Sequence, residues 1–139
     1  MINYELFLQK SRRYMVRDIL KHVETEGLSG ENHFLITFKT NRDDVIVPDF
    51  VRAKYPNEIT IILQHQFENL IVSENYFEVD LTFGGVSSTL KIPYGAITQF
   101  GDPSQNFGFL LMPEAAKKES KVKKETPVQV IDLEKYRKK

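Results

Sequence analysis

Cysteine and tryptophan are both absent from the 139 residues. Without cysteine there is no disulfide framework, thiolate zinc site or Cys nucleophile, which fits a reducing cytosol. No stretch reaches the roughly 18–20 uninterrupted apolar residues that a membrane span requires. The opening residues 1–15 carry charges inside their only apolar stretch and lack the small-residue cleavage site of a secretory leader. The expectation is a cytoplasmic protein with no membrane segment.

The motifs of common chemistry are missing too. There is no Gly-rich phosphate loop, no Gly-x-Ser-x-Gly and no His pair at metal-ligand spacing. The three histidines, His22, His33 and His65, are scattered. A triad or metal site would have to be assembled from distant strands, so structural or surface roles are the simpler account. Asp43 and Asp44 are adjacent on a turn, where side chains splay apart, and acidic turns are commonplace. Gly84-Gly85 has no following helix N-terminus to complete an anion cradle and reads as a turn. No catalytic residue, metal or cofactor is expected.

Charge excludes a further class. Residues 114–139 hold nine Lys/Arg against five Asp/Glu, a net +4, and because the whole chain is formally neutral, residues 1–113 carry −4. A nucleic-acid-binding domain concentrates positive charge on its folded part, because phosphate neutralisation dominates affinity. The acidic body therefore stands against the main alternative function, a Sm-like RNA-binding protein with a basic groove and aromatic platforms.

What the chain does have is apolar volume. Ten Phe and six Tyr supply a core for one domain of ordinary size. From about Asn3 to Glu26, Leu8, Met15, Ile19 and Val23 recur at three- and four-residue steps, with Tyr4, Val16 and Leu20 flanking. This spacing predicts a helix capped by Asn3 and ended by Gly27. The opposite face, with Gln9, Arg12, Arg13, Arg17 and Lys21, is ordinary solvation. From His33 onward the pattern changes to short strands: 33–40, 45–47 halted by Pro48, 58–64, 70–73, 76–83 and 89–92 ended by Pro93. Glu74-Asn75 and Gly84-Gly85 read as tight hairpin turns and residues 41–44 as a turn. The fold class expected is mainly β with one N-terminal helix, a small antiparallel barrel or sandwich.

Composition shifts after Met112-Pro113. Residues 114–127 have Val122 as their only large apolar residue, too little to support ordering, and read as a flexible charged linker. Apolarity returns in residues 128–139, the layout of a docking peptide at the end of a tether.

Two local features suggest recognition. Residues 63–70, Leu-Gln-His-Gln-Phe-Glu-Asn-Leu, interrupt two apolar strands with amides, which donate and accept together as an extended peptide backbone does. A polar connecting loop is the simpler account of them. Phe83-Gly84-Gly85-Val86 could floor a shallow apolar channel, or be a hairpin beside a core Phe.

The runs 30–38 (GENHFLITF), 55–67 (YPNEITIILQHQF), 83–85 (FGG) and 107–110 (FGFL) resemble the SspB family, specifically its shorter alpha-proteobacterial branch, and the ending 130–139 (VIDLEKYRKK) resembles that branch's ClpX-binding tail. The resemblance implies a Sm-like or SH3-like β-barrel whose N-terminal helix builds a homodimer, with Leu8, Met15, Ile19 and Val23 at the interface. The same stripe could instead cover the barrel. It implies binding of the ssrA degradation tag by Gln64, His65, Gln66, Phe67, Phe83, Gly84 and Gly85, and also by Phe38 and Phe109. The tail would grip the ClpX N-terminal domain through Val128, Val130, Ile131, Leu133, Tyr136, Arg137, Lys138 and Lys139. The final Arg-Lys-Lys also reads as a solubilising terminus. Residues 1–113 would form the peptide-binding and dimerisation domain, 114–127 the linker and 128–139 the docking tail. A general scaffold with another client shares these physical features, and a convergent enzyme would need a His–carboxylate site in a pocket.

Overall fold

The computed structural model describes residues 1–28, 30–64 and 67–115. His65, Gln66, nearly all of the expected linker and the whole docking tail lie outside the described residues.

Helix α1 spans Tyr4–Glu26. The Asn3 side chain accepts the Leu6 amide at 3.3 Å, satisfying one of the orphan donors of the first turn. At the other end Gly27 takes φ +81° and its N–H returns to the Val23 carbonyl at 2.8 Å, a conformation that favours glycine. Val16, Leu20 and Val23 face inward and are buried.

Among the described residues seven strands follow, with one short α-helix: β1 (Phe34–Lys39), α2 (Asp49–Lys54), β2 (Glu58–Leu63), β3 (Glu68–Val72), β4 (Tyr76–Phe83), β5 (Val86–Pro93), β6 (Ile97–Asp102) and β7 (Phe107–Leu110). They form two antiparallel sheets, one ordered β2-β1-β6-β7 and the other β3-β4-β5. Strict alternation in β2, exposed then buried along all six residues, shows one face turned to the core and one to solvent. Phe38, Phe77, Phe100, Leu63, Leu90 and Ile97 lie in that core, each 1% exposed or less.

The mainly-β class with an N-terminal helix holds. The barrel is not closed: there are two sheets, each with its own edges. The β3–β4 ladder shifts register between Glu68 and Ile71. Asn69 there takes the left-handed conformation, φ +54°. A strand interrupted in this way cannot run continuously from one sheet into the other. The expected strand at 45–47 is reduced to a single bridge, Ile46 to Lys91, because Pro48 has no N–H to extend a ladder and instead leads into α2. Strands β6 and β7 were not anticipated, the ITQFGD of β6 being short and closed by Gly and Asp and the FGFL of β7 only four residues long.

Helix α1 packs on β3 and covers open edges of both sheets with polar side chains. The Val72 amide donates to Glu24 Oε2 at 3.0 Å on β3. Beside β7, Arg12 donates to the Leu110 carbonyl at 2.7 Å and the Met112 amide donates to Gln9 Oε1 at 2.8 Å. Bare edges template unwanted strand pairing, and such covers prevent it here. The chain is then held as far as Glu114, whose N–H reaches the Gly95 carbonyl at 2.7 Å and whose carboxylate pairs with Arg13 at 3.1 Å. Among the described residues no helix is long and apolar enough to cross a membrane.

Two carboxylates tie elements together and make stability depend on pH. Buried Asp102 accepts from Asn32 Nδ2 at 2.8 Å, from the Ser104 hydroxyl at 2.6 Å and from the Ser104 amide at 3.0 Å. Burial alone would raise its pKa, but the bonds from Ser104, Asn32 and the His33 amide outweigh that and hold it below the ordinary value. Glu24 is lowered by the Val72 amide first and Lys21 second. Both groups titrate at lower pH in the folded than in the unfolded chain, so their contribution is complete above the unfolded values near about pH 4 and disappears as pH falls through the folded ones. Urea midpoints are expected to fall from pH 6 to pH 3, with a smaller drop in Glu24→Gln. Asp102→Ala, which removes the acceptor shared by Asn32, His33 and Ser104, is expected to cost about 1–2 kcal/mol at neutral pH.

Candidate functional site

The β4–β5 hairpin brings several of the expected residues to one end of the three-stranded sheet. Its ladder runs without a bulge from Tyr76↔Pro93 to Phe83↔Val86. A two-residue loop of type I′ closing on Phe83 and Val86 has positive φ at both central positions, and Gly84 and Gly85 have φ +56° and +86°. Phe83, just before the turn, is half-buried and packed against the core.

The β2–β3 corner arrives at the same end. Gln64 follows the rung Phe34↔Leu63 and is exposed, and the Phe67 amide closes the corner by donating to the Gln64 carbonyl at 3.4 Å. The rung Glu68↔Asp80 then sets the start of β3 beside β4, three residues before Phe83. One step beyond that rung are Phe67 and Leu81, both half-buried against the core. The corner is pinned by Asp80, which accepts from Asn69 Nδ2 at 2.7 Å and from the Thr89 hydroxyl at 2.6 Å. These bonds, Asn69 first, hold the Asp80 carboxyl below its ordinary pKa, so it stays an acceptor at neutral pH. Gln64, Phe67, Phe83, Gly84 and Gly85 thus share one end of the molecule.

Phe38 and Phe109 are not part of that group. Phe38 is fully buried on β1 and has no face to offer a ligand. Phe109 is half-buried on β7, at the opposite edge of the four-stranded sheet from β2. Its ring lies 5.8 Å from Phe100, which lies 5.0 Å from Phe34. This aromatic row leads back across the sheet to the strand beside Leu63. Leu81 was not singled out in sequence, and strand alternation around Phe83 was the available signal for it; Val86, read with the Gly84-Gly85 turn, is exposed.

Helix α1 presents a second surface. Leu8 and Met15 are exposed at 44% and 41%, Ile19 is half-buried, and Tyr4 and Phe7 extend the apolar face. Val23, expected on this face, is instead buried within its own protomer at 4%, because it follows Val16 and Leu20 along the inward stripe. His22 is exposed and His33 is half-buried, its Nδ1 3.0 Å from the Glu31 carbonyl.

These features define a small helix-capped β protein whose outward elements are turns, sheet edges and half-buried aromatics. The chain matches the family model described as Stringent starvation protein B over residues 8–138, nearly its whole length, and it belongs to that family. The family is one of adaptors. No curated protein matches the chain.

The backbone requirement at the turn is directly testable. A Cβ at Gly84 or Gly85 meets nothing within 4 Å, so only the left-handed conformation penalises a side chain there. Gly84→Val is expected to cost about 1–2 kcal/mol and Gly84→Asn only a few tenths, read by chemical denaturation.

Proposed function

We propose that the chain is a proteolytic adaptor that binds ssrA-tagged polypeptides and tethers them to the ClpX unfoldase for degradation by ClpXP, making and breaking no bond itself. The observation that carries this reading is the gathering of Gln64, Phe67, Phe83, Gly84 and Gly85 at one end of the β3-β4-β5 sheet in a chain of an adaptor family. In this reading Gln64, His65 and Gln66 satisfy the tag's backbone and polar groups, while Phe67 and Phe83 bury its apolar side chains beside the open Gly84-Gly85 backbone. Phe38 supports the site from within the core. Phe109 would extend the apolar surface at a distance.

Residues 114–127 then serve as the tether and 128–139 as the ClpX-docking segment, with Val128, Val130, Ile131, Leu133 and Tyr136 for apolar contact and Arg137, Lys138 and Lys139 for charge. A tether of this length gives effective concentrations on the order of mM, so two weak contacts act as one strong one. Leu8, Met15 and Ile19 of α1 provide the homodimer contact, with Val23 anchoring the helix to its own body. The adaptor works in the cytoplasm and needs no cofactor.

Fluorescence anisotropy of a labelled ssrA peptide titrated with the protein is expected to saturate, and Gln66→Ala to weaken binding. Absence of binding at tens of micromolar would reject the reading. Deleting residues 128–139 is expected to leave peptide affinity unchanged while abolishing assisted degradation by ClpXP. Equal loss of both would refute the division of labour. Leu8→Glu with Met15→Glu is expected to halve the mass measured by light scattering.

A further inference from the structure

Strand β7 is a weak edge by its own contacts, yet the residues that follow it are firmly held. The strand has four residues, and Phe107 and Leu110 are exposed at 45% and 65%, so little apolar burial binds it to β6. Past its end the backbone is tied at almost every step. The Leu111 amide donates to the Thr98 carbonyl at 2.9 Å, the Met112 amide to Gln9 Oε1 at 2.8 Å and the Glu114 amide to the Gly95 carbonyl at 2.7 Å.

Glu114 sits in a seat built from three separate parts of the fold. Arg13 of α1 pairs with its carboxylate at 3.1 Å, Arg42 donates to its carbonyl, and the turn at Tyr94–Ala96 accepts its N–H. Arg42 is itself fixed. Its side chain is 9% exposed, its Nε and Nη2 donate to the two oxygens of Asp44 at 2.9 and 2.8 Å, and its Nη1 also reaches the Gly95 carbonyl at 3.4 Å. Gly95 leaves the necessary room, since a side chain there would overlap the Glu114 carboxylate. An ion pair with a half-exposed member adds little to global stability, so stability alone does not account for this seat. Position does. Tension in the covalent chain beyond Ala115 passes through residues 111–115 on its way to β7. A short edge strand drawn from its end gives way rung by rung, each bond strained alone. The bonds on Glu114 run from one residue to three elements, so they share the tension and must fail together.

We infer that the Glu114 seat is a mechanical clamp that keeps β7 from peeling away when the unfoldase bound to residues 128–139 draws on the adaptor. The source of the pull rests on the adaptor reading, whereas the clamp is a property of Arg13, Arg42, Gly95 and Glu114. With the clamp closed the body transmits tension without unravelling, and the client is consumed while the adaptor is spared.

The chain has no cysteine, so Lys54→Cys and Lys139→Cys supply attachment points for optical tweezers on the full chain. Glu114→Pro removes the N–H and the carboxylate together, while Glu114→Gln keeps the N–H and an acceptor for Arg13. At constant tension the proline variant is expected to unfold about tenfold faster or more, and the glutamine variant close to the unmodified rate. Chemical denaturation midpoints are expected to coincide, because opening of a border segment costs far less than global unfolding. Unchanged unfolding under tension in Glu114→Pro overturns the inference. So does a drop in its denaturation midpoint large enough to explain the loss, which would make the seat an ordinary stabilising contact. If the proline variant does not fold, Gly95→Ala, which displaces the Glu114 carboxylate, must show the same weakness under tension or the inference falls. A second arm incubates each form with ClpXP and an ssrA-tagged client and follows the adaptor itself. Glu114→Pro is expected to be degraded while the other two persist, and equal survival of all three overturns the role given to the clamp. If ClpX fails to engage the unmodified chain, the adaptor reading falls and takes this role with it, an outcome that the tweezers distinguish from a missing clamp.

Discussion

Main-chain groups at the edge of a sheet have no ladder partner, and two open sheets leave four such edges to be satisfied. Helix α1 meets much of that demand. Glu24 takes the Val72 amide on β3, and Gln9 and Arg12 take main-chain groups around β7, on the other sheet. The helix is therefore more than an apolar lid. Its buried stripe of Val16, Leu20 and Val23 supplies the hydrophobic contact, and its polar residues join sheets that no ladder joins among the described residues. Changes in α1 act on both sheets at once for that reason.

The same constraint separates the ends of the molecule. The Gly84-Gly85 turn closes one end of the β4–β5 hairpin, and Tyr76↔Pro93 lies at the other, about 24 Å away at the usual rise per residue. The last described residues lie near that far end, where Glu114 is held by Gly95, Arg13 and Arg42. Tyr94 reinforces the far end through its hydroxyl, which donates to the Ser73 carbonyl at 2.8 Å, and burial pushes its phenol well above the ordinary range.

Much of this was legible in order along the chain. Asn3 and Gly27 marked the limits of α1 because capping is a local matter of one side chain or one φ angle. Glu74-Asn75 and Gly84-Gly85 marked hairpin turns for the same reason, and the strands they bound were found. Strands β6 and β7 and helix α2 were not, since their short segments owe their form to neighbours: β6 lies between β1 and β7, β7 pairs with β6 alone, and α2 is a single turn and a half after Pro48.

Sequence by itself determined the helix with its caps, the turns, the acidic body, the basic ending and membership of the family, all of which depend on residue identity and short spacing. Only the tertiary structure decided that the sheets stay open, that Phe38 is sealed in the core while Phe83 and Phe67 are half-exposed at one end, that Val23 turns inward, and which edges α1 covers. Those outcomes depend on strand register and on contacts between residues as far apart as Gln9 and Met112, which no local pattern encodes.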